Sequence, residues 1–318
     1  MLRTIFFGTP ETAVPFLRLL AKRTEVLAVV SQPDRPAGRG LAVAPTPVKA
    51  AARELGLKVF QPAKPSDAAA DLKALGADLA VVVAYGRILK ADSLAATRLG
   101  FMNAHFSLLP KYRGAAPVQW SLVRGEKKTG VSLFWIDEGM DTGLIQAMRE
   151  TPIDPGEDAG ALLARLTMLG VEMLDAELSA LADGKVERRP QTGEPTLAPL
   201  IKREDARIEL SRPATEIHDL VRGFRLWPRA YLERAGVPRL LVLRTALAAA
   251  SDPVGRGRPG CILAVDRERG ILVECGSSGR LWFLDVQPEG KKTLNAADFA
   301  NGLRLAAGGF LPFMDETI

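Results

Sequence analysis

The chain has 318 residues, 47% hydrophobic and 25% charged, with a net charge of +5. That length allows one large domain or two ordinary ones, and that composition excludes a disordered or low-complexity protein. Two cysteines argue against a disulfide framework or a zinc cluster, and two histidines leave little with which to build a metal centre.

The opening MLRTIFFGTP lacks a charged segment ahead of a long apolar core and a cleavage site, and no apolar run approaches the roughly 20 residues of a membrane span. A soluble, cytoplasmic chain without a membrane partner is expected. With no exposed apolar stripe in the sequence, the expected state is a monomer.

In chain order, RTIFFG reads as a strand stopped by glycine, and PETAVPFLRLLAKR as a helix entered through an early proline. EVLAVVSQ is a second strand, VKAAARELG a helix ending at Gly56, and LKVFQP a short strand. SDAAADLKALG reads as a helix with a Ser66 or Asp67 start and a Gly76 stop. DLAVVVAYG is almost wholly apolar, as a parallel strand buried on both faces should be. Strand and helix continue to alternate through LGFMNAHF, TGVSLFWIDEG and a long helix over DAGALLARLTMLGVEMLDAELSALADG. This pattern predicts an α/β, Rossmann-type open sheet.

The composition then changes. KVERRPQTGEPTLAPLIKREDARIEL holds three prolines, many charges and no apolar stripe, and reads as a linker. Beyond it a helix, SRPATEIHDLVRGFR, precedes about five runs with strand character and short glycine-containing turns, which suits a small C-terminal β-barrel of the OB-like kind. The expected division is a catalytic domain at 1–189, a linker at 190–206 and an OB-like domain at 207–318. From residue 207 onward 16 Lys and Arg stand against 13 Asp and Glu, so the C-terminal third is the more basic part per residue. A polyanionic partner is permitted without being required.

Gly8 in FFGTPETA stands without the G-x-G-x-x-G pattern, which argues against a dinucleotide site, and no phosphate-binding P-loop motif is present. NAHFSLLPKYRGAAP is more informative. Its strand pattern runs out near Asn103, and ligand sites of open α/β sheets lie beyond the carboxyl ends of strands. Residues two apart on an extended segment share a face, so Asn103 and His105 would look into one cavity. An amide and an imidazole so placed either stabilise an oxyanion and move a proton or merely cap the strand. A carboxylate to support the histidine is offered by Asp137, Glu138 and Asp141 in WIDEGMDTG. No G-x-S-x-G is present and neither cysteine is near a histidine in sequence, so direct transfer between two bound substrates fits better than a covalent enzyme intermediate. SQPDRPAGRGLAVAPTPVKA forms a long loop with four prolines, where Arg35 and Arg39 either meet phosphates or belong to an irregular connection.

Taken together, these stretches resemble a known family. NAHFSLLPKYRGAAPVQW resembles the N-x-H-x-S-L-L-P-x-x-R-G-x-x-P motif of the methionyl-tRNA formyltransferases, and FFGTPETAVPFL, SQPDRPAGRG, VVVAYGRIL, GMDTG and QPEGKK follow the family order over nearly the whole chain. The resemblance implies formyl transfer from 10-formyltetrahydrofolate, with no metal, to the methionine amino group on initiator tRNA. By motif position it implies Asn103, His105 and Asp141 as the catalytic trio. It implies Ser107, Leu108, Leu109 and Pro110 as the folate-binding turn, and Ile88 and Leu89 as lining of the pterin pocket. The proline-rich loop corresponds to the one that enters the acceptor stem, with Arg39 the candidate contact beside Arg35, and the domain at 207–318 corresponds to the family's barrel that grips tRNA. The family loop continues with lysines after AGRG; this chain reads GRGLAVAPTP and so carries less positive charge there. A formyltransferase acting on a small amine would use the same trio but needs neither the loop nor a basic barrel. An inactive RNA-binding protein would not need the intact trio. His218 matches no motif and is expected to be a surface or interface histidine.

Overall fold

The computed structural model describes residues 1–37 and 42–314. The chain folds into two compact units that interleave in sequence. The first comprises 1–117, 128–153 and 162–199, and the second 118–127, 154–161 and 200–318. The expected division drew a single boundary at 189.

The first unit is built on seven strands: β1 (Arg3–Gly8), β2 (Glu25–Val30), β3 (Val59–Phe60), β4 (Ala77–Val83), β5 (Thr97–His105), β6 (Lys128–Trp135) and β7 (Ile145–Pro152). Their order across the sheet is β7-β6-β5-β4-β1-β2-β3. The strands from β3 to β5 pair in parallel, whereas β6 is antiparallel to both β5 and β7. The α/β expectation therefore holds, with an antiparallel edge added.

Apolar residues on both faces of the central strands explain the layered form. Ile5, Phe7, Val30, Ala80, Val82 and Phe101 pack with Leu72 and Leu89 on one side. The helix Ala159–Ala182 supplies fully buried Leu162, Leu166 and Leu174. At its Gly170 a Cβ would lie 2.7 Å from the Phe16 ring, so only glycine allows this approach. The helix Pro47–Glu54 is capped by the Thr46 hydroxyl on the Lys49 amide at 3.2 Å, and the chain leaves it through Gly56 at φ +69°.

The chain passes from β1 outward to β2 and β3, then returns to the other side of β1 for β4 and β5. This reversal opens a crevice at the carboxyl ends of β1 and β4. His105 is the last residue of β5, next to it.

The second unit carries β8 (Tyr231–Arg234), β9 (Val237–Leu247), β10 (Ile262–Asp266), β11 (Gly270–Glu274) and β12 (Arg280–Pro288), all antiparallel, in the order β8-β9-β12-β11-β10. Leu294–Asn295 adds to β12. The helix Ala214–Gly223 places Ile217, Leu220 and Val221 in one core with Leu240, Val273 and Phe283. This antiparallel unit is consistent with the small barrel expected.

Candidate active site

The register of β5 sets the site. Asn103 pairs with Val82 of β4 and Phe134 of β6, and His105 lies opposite Ser132. Both side chains fall on the same side of the strand. The His105 ring is nearly enclosed, 6% exposed, and stands edge-on to Phe134 with centroids 6.3 Å apart. Its Nε2 lies 2.9 Å from the Tyr112 carbonyl oxygen. A carbonyl only accepts, so Nε2 carries a proton and donates it there, and any proton exchange is left to Nδ1. The nearest acid to Nδ1 is Asp141, with Oδ2 at 3.7 Å. The Asn103 carboxamide has no hydrogen-bond partner among the described residues.

Asp141 is held from several sides. Its Oδ2 accepts the Gly114 N–H at 2.7 Å, and its carbonyl accepts from Gln191 Nε2 at 2.8 Å. Gln191 also reaches the Gly143 carbonyl at 2.9 Å, while its own oxygen takes Arg113 Nη2 at 2.6 Å. Gly114 stands at φ +120°, and a Cβ there would lie 2.6 Å from the Ala198 oxygen. A side chain at this position would displace the amide that holds Asp141.

Among the three acids of WIDEGMDTG, only Asp141 reaches the histidine. Asp137 instead closes its own turn, accepting Gly139 N–H at 3.1 Å and the Thr142 hydroxyl at 2.7 Å, and Glu138 is exposed. Because β6 is antiparallel, this loop joins two neighbouring strands as a hairpin connection and does not lead from a strand to a helix.

The Ser107–Pro110 turn follows directly. Ser107 Oγ donates to the Lys111 carbonyl at 2.6 Å. The buried Ser132 hydroxyl donates to the Ser107 carbonyl at 2.7 Å and accepts the Leu109 N–H at 3.1 Å. Leu109 packs on Phe134 and Ile145, and the Leu109–Pro110 peptide is cis. Leu108 is half-buried and Pro110 buried.

At the crevice, Leu89 belongs to the core, whereas Ile88 is 83% exposed. The segment before them is tied down from β1 and β2. Thr9 Oγ1 donates to the Tyr85 carbonyl at 3.0 Å, and Gln32 Nε2 donates to the same oxygen at 2.8 Å. Gln61 Nε2 bridges the Gln32 carbonyl and Asp34 Oδ1 at 2.8 and 2.7 Å, and Asp34 pairs with Lys49. Lys49 first, and then Gln61, hold the Asp34 carboxyl below the usual carboxylate range. These bonds brace the root of the proline-rich loop, whose residues Arg35–Ala37 and Ala42–Ala44 pair as a short hairpin. Arg35 is exposed there, and Arg39 lies outside the described residues.

Gln191, Arg113, Ser132 and Gln32 were not singled out from sequence. Ser132 carries a signal in hindsight, as a hydroxyl flanked on both sides by apolar residues in the strand TGVSLFW. Gln191 carries none. It falls in the stretch read as a linker, yet Leu197–Ala198 pairs in parallel with Arg113–Gly114 and keeps the preceding residues against the site. His218, expected as a surface or interface histidine, is partly buried, with Nδ1 2.9 Å from Thr245 Oγ1, and burial lowers its pKa.

A family model described as formyl transferase matches residues 2–178, and one described as formyl transferase, C-terminal domain, matches residues 200–304. A protein from Sorangium cellulosum named methionyl-tRNA formyltransferase is 45% identical, covering 96% of this chain and 98% of its own. A protein of the same name from Thermus thermophilus is 43% identical, again covering 96% and 98%. Among solved structures, an N-formyltransferase from Helicobacter canadensis in complex with folinic acid and dTDP-3-aminofucose has the same fold, with TM-score 0.69 and 19% identity over 91% of this chain and 100% of that one. HypX from Aquifex aeolicus in complex with tetrahydrofolic acid superimposes with TM-score 0.62 and 17% identity over all of this chain and 50% of that one. With both domain models matched in order and relatives above 40% identity along almost the full length, the chain belongs to the methionyl-tRNA formyltransferase family.

Proposed function

We propose that the protein transfers the formyl group of 10-formyltetrahydrofolate to the α-amino group of methionine on initiator tRNA. The observation that carries this reading is the convergence of Asn103, His105 and Asp141 beside the sheet crevice, in a chain similar to methionyl-tRNA formyltransferases throughout.

10-Formyltetrahydrofolate supplies the activated one-carbon unit. The buried Leu89, the exposed Ile88 and the Ser107–Pro110 turn pinned by Ser132 offer apolar surface and fixed backbone for a flat heterocycle. An α-amino group with a pKa of about 8 has a substantial neutral fraction near pH 7.5, so the chain needs no strong base to generate the attacking amine. What it must supply is stabilisation of the oxyanion formed when that amine adds to the formyl carbon. The Asn103 carboxamide offers N–H donors. His105, with Nε2–H committed to Tyr112, offers Nδ1–H when protonated, and the Asp141 carboxylate faces that charge. The adduct then collapses with the attacking nitrogen losing a proton and the folate nitrogen gaining one, and Nδ1 of His105 can pass that proton.

The long proline-rich stretch and the excess of basic residues from 207 onward, 16 Lys and Arg against 13 Asp and Glu, favour an RNA-borne amine over a free small one. The test is formylation of methionine-charged initiator tRNA, with charged elongator tRNA alongside. Formylation of the initiator is expected; absence of transfer to either RNA would refute the assignment.

A further inference from the structure

The connection between β9 and β10, residues 248–261, is long for a small antiparallel unit and has no strand or helix of its own. Loops of more than about 12 residues in compact domains are usually functional or disordered. This one is neither short nor loose. At its start, Asp252 accepts Arg269 Nη1 and Nη2 at 2.6 and 3.0 Å, Trp282 Nε1 at 3.0 Å and the Ala249 N–H at 2.8 Å. Arg280 donates to the carbonyls of Ala249 and Pro253 at 3.2 and 3.1 Å.

Its tip, VGRGRPG, is fixed from beneath by Glu274, which is 1% exposed. Glu274 Oε1 accepts the Gly257 N–H at 2.6 Å and Oε2 the Arg256 N–H at 3.2 Å, while its carbonyl accepts the Gly260 N–H at 2.8 Å. A Cβ at Gly255 would overlap this carboxylate, and Gly257 has φ +79°. Burying a carboxylate costs free energy, offset here by backbone N–H groups. With those amides turned inward, Arg256 and Arg258 are left exposed, the latter with its guanidinium 4.6 Å over the Phe310 ring. The tip contains no acid, and among the described residues Arg256 makes no ion pair.

We propose that this loop is a preformed binding surface for the phosphodiester backbone of the RNA substrate, and that Glu274 is the positioning residue that holds it in binding shape. The assignment rests on the RNA-substrate reading above. A Gly-rich loop left free would lose conformational entropy on binding; fixing it beforehand removes that cost. Two exposed guanidiniums without an ion pair among the described residues suit phosphates, which they engage through paired N–H donors. The surface adds positive charge on the second unit in a chain whose proline-rich loop is poor in lysine.

The test uses the full chain and methionine-charged initiator tRNA, with affinity measured across a salt series and tetrahydrofolate binding followed in parallel. Replacing both arginines (Arg256→Glu with Arg258→Glu) should weaken RNA binding about tenfold or more and lessen the salt slope by about 1 for each phosphate no longer engaged. Tetrahydrofolate binding should be unchanged. Glu274→Gln is the discriminating variant. It makes the protein more positive, so plain electrostatics predicts tighter RNA binding; the proposal predicts weaker binding, because the new amide opposes a backbone N–H. Unchanged affinity and salt slope in the double arginine variant would overturn the proposal, as would tighter binding by folded Glu274→Gln. Should Glu274→Gln not fold, Arg256→Ala with Arg258→Ala decides alone on the same readouts. A wild-type chain that binds no RNA would instead refute the substrate reading itself.

Discussion

At His105 the useful question is which nitrogen works. The Tyr112 carbonyl claims Nε2–H, so the chemistry falls to Nδ1 and its neighbour Asp141. Asp141→Asn is a clean probe of that neighbour. An asparagine oxygen still accepts the Gly114 N–H, which Asp141 takes at 2.7 Å, so the loop keeps its shape while the charge facing Nδ1 is removed. The expected outcome is a fall in kcat on the order of 10²-fold, comparable to losing one oxyanion donor, with KM for both substrates and the melting temperature little changed. Asn103→Ala should cost a similar factor of about 10²–10³. Steady-state kinetics on both substrates check the pair, and a KM effect without a kcat effect would mean these residues bind and do not catalyse. The sequence showed this much because strand periodicity put Asn103 and His105 on one face. Spacing alone left Asp137, Glu138 and Asp141 equivalent, and only the family resemblance pointed to Asp141; the physical reason is the hairpin path, which closes Asp137 onto Thr142.

At the level of elements, strands and helices were legible wherever the apolar period was strong, as in β4 and in the Gly56 and Gly76 helix stops. The antiparallel turn of β6 was not, because a strand buried on both faces reads alike in either direction. Nor was the role of Gln191, whose position depends on backbone pairing between Leu197–Ala198 and Arg113–Gly114, which side-chain pattern does not encode. The loop after β9 has a further consequence at Asp252. Arg269 first, and Trp282 next, hold its carboxyl well below the usual carboxylate range. The unfolded chain, with an ordinary pKa of about 3.9, therefore takes up this proton before the folded one does. The stabilisation is complete above that value and drains away as pH falls below it. Asp252→Asn should lower the melting temperature of the second unit at pH 7 and flatten its decline between about pH 4 and 2. Thermal melts across that range check it; parallel acid limbs for the two proteins would show that Asp252 carries none of the dependence.

For the whole molecule, the linear division at 189 and the interleaved units make opposite predictions about a truncated chain. If residues up to 189 formed a self-contained domain, a 1–199 fragment would be stable alone. In the structure, however, residues 118–127 and 154–161 belong with the second unit. The Trp120 ring stands edge-on to Phe224 at 5.7 Å, and Val123 packs so closely on Gly223 that a Cβ there would lie 2.6 Å away. Arg222, buried with Asp219 as its 2.7 Å partner, donates to the Glu157 carbonyl at 3.1 Å. Truncation removes Phe224, Gly223 and Arg222 together, leaving Trp120 and Val123 without these partners. Burying a large apolar side chain is worth roughly 1.5–3 kcal/mol, a sizeable part of the roughly 5–15 kcal/mol that holds a typical domain folded. The 1–199 fragment should accordingly melt below the full chain and self-associate, and Trp120→Ser within the fragment should reduce that association. Sedimentation and thermal melts of the fragment, its Trp120→Ser variant and the full chain make the comparison. A monomeric fragment melting with the full chain would establish the linear division. Self-association relieved by the Trp120 change would place the cause on the apolar side chains of 118–127 that pack with residues after 200, a pairing between distant segments that composition along the chain does not encode.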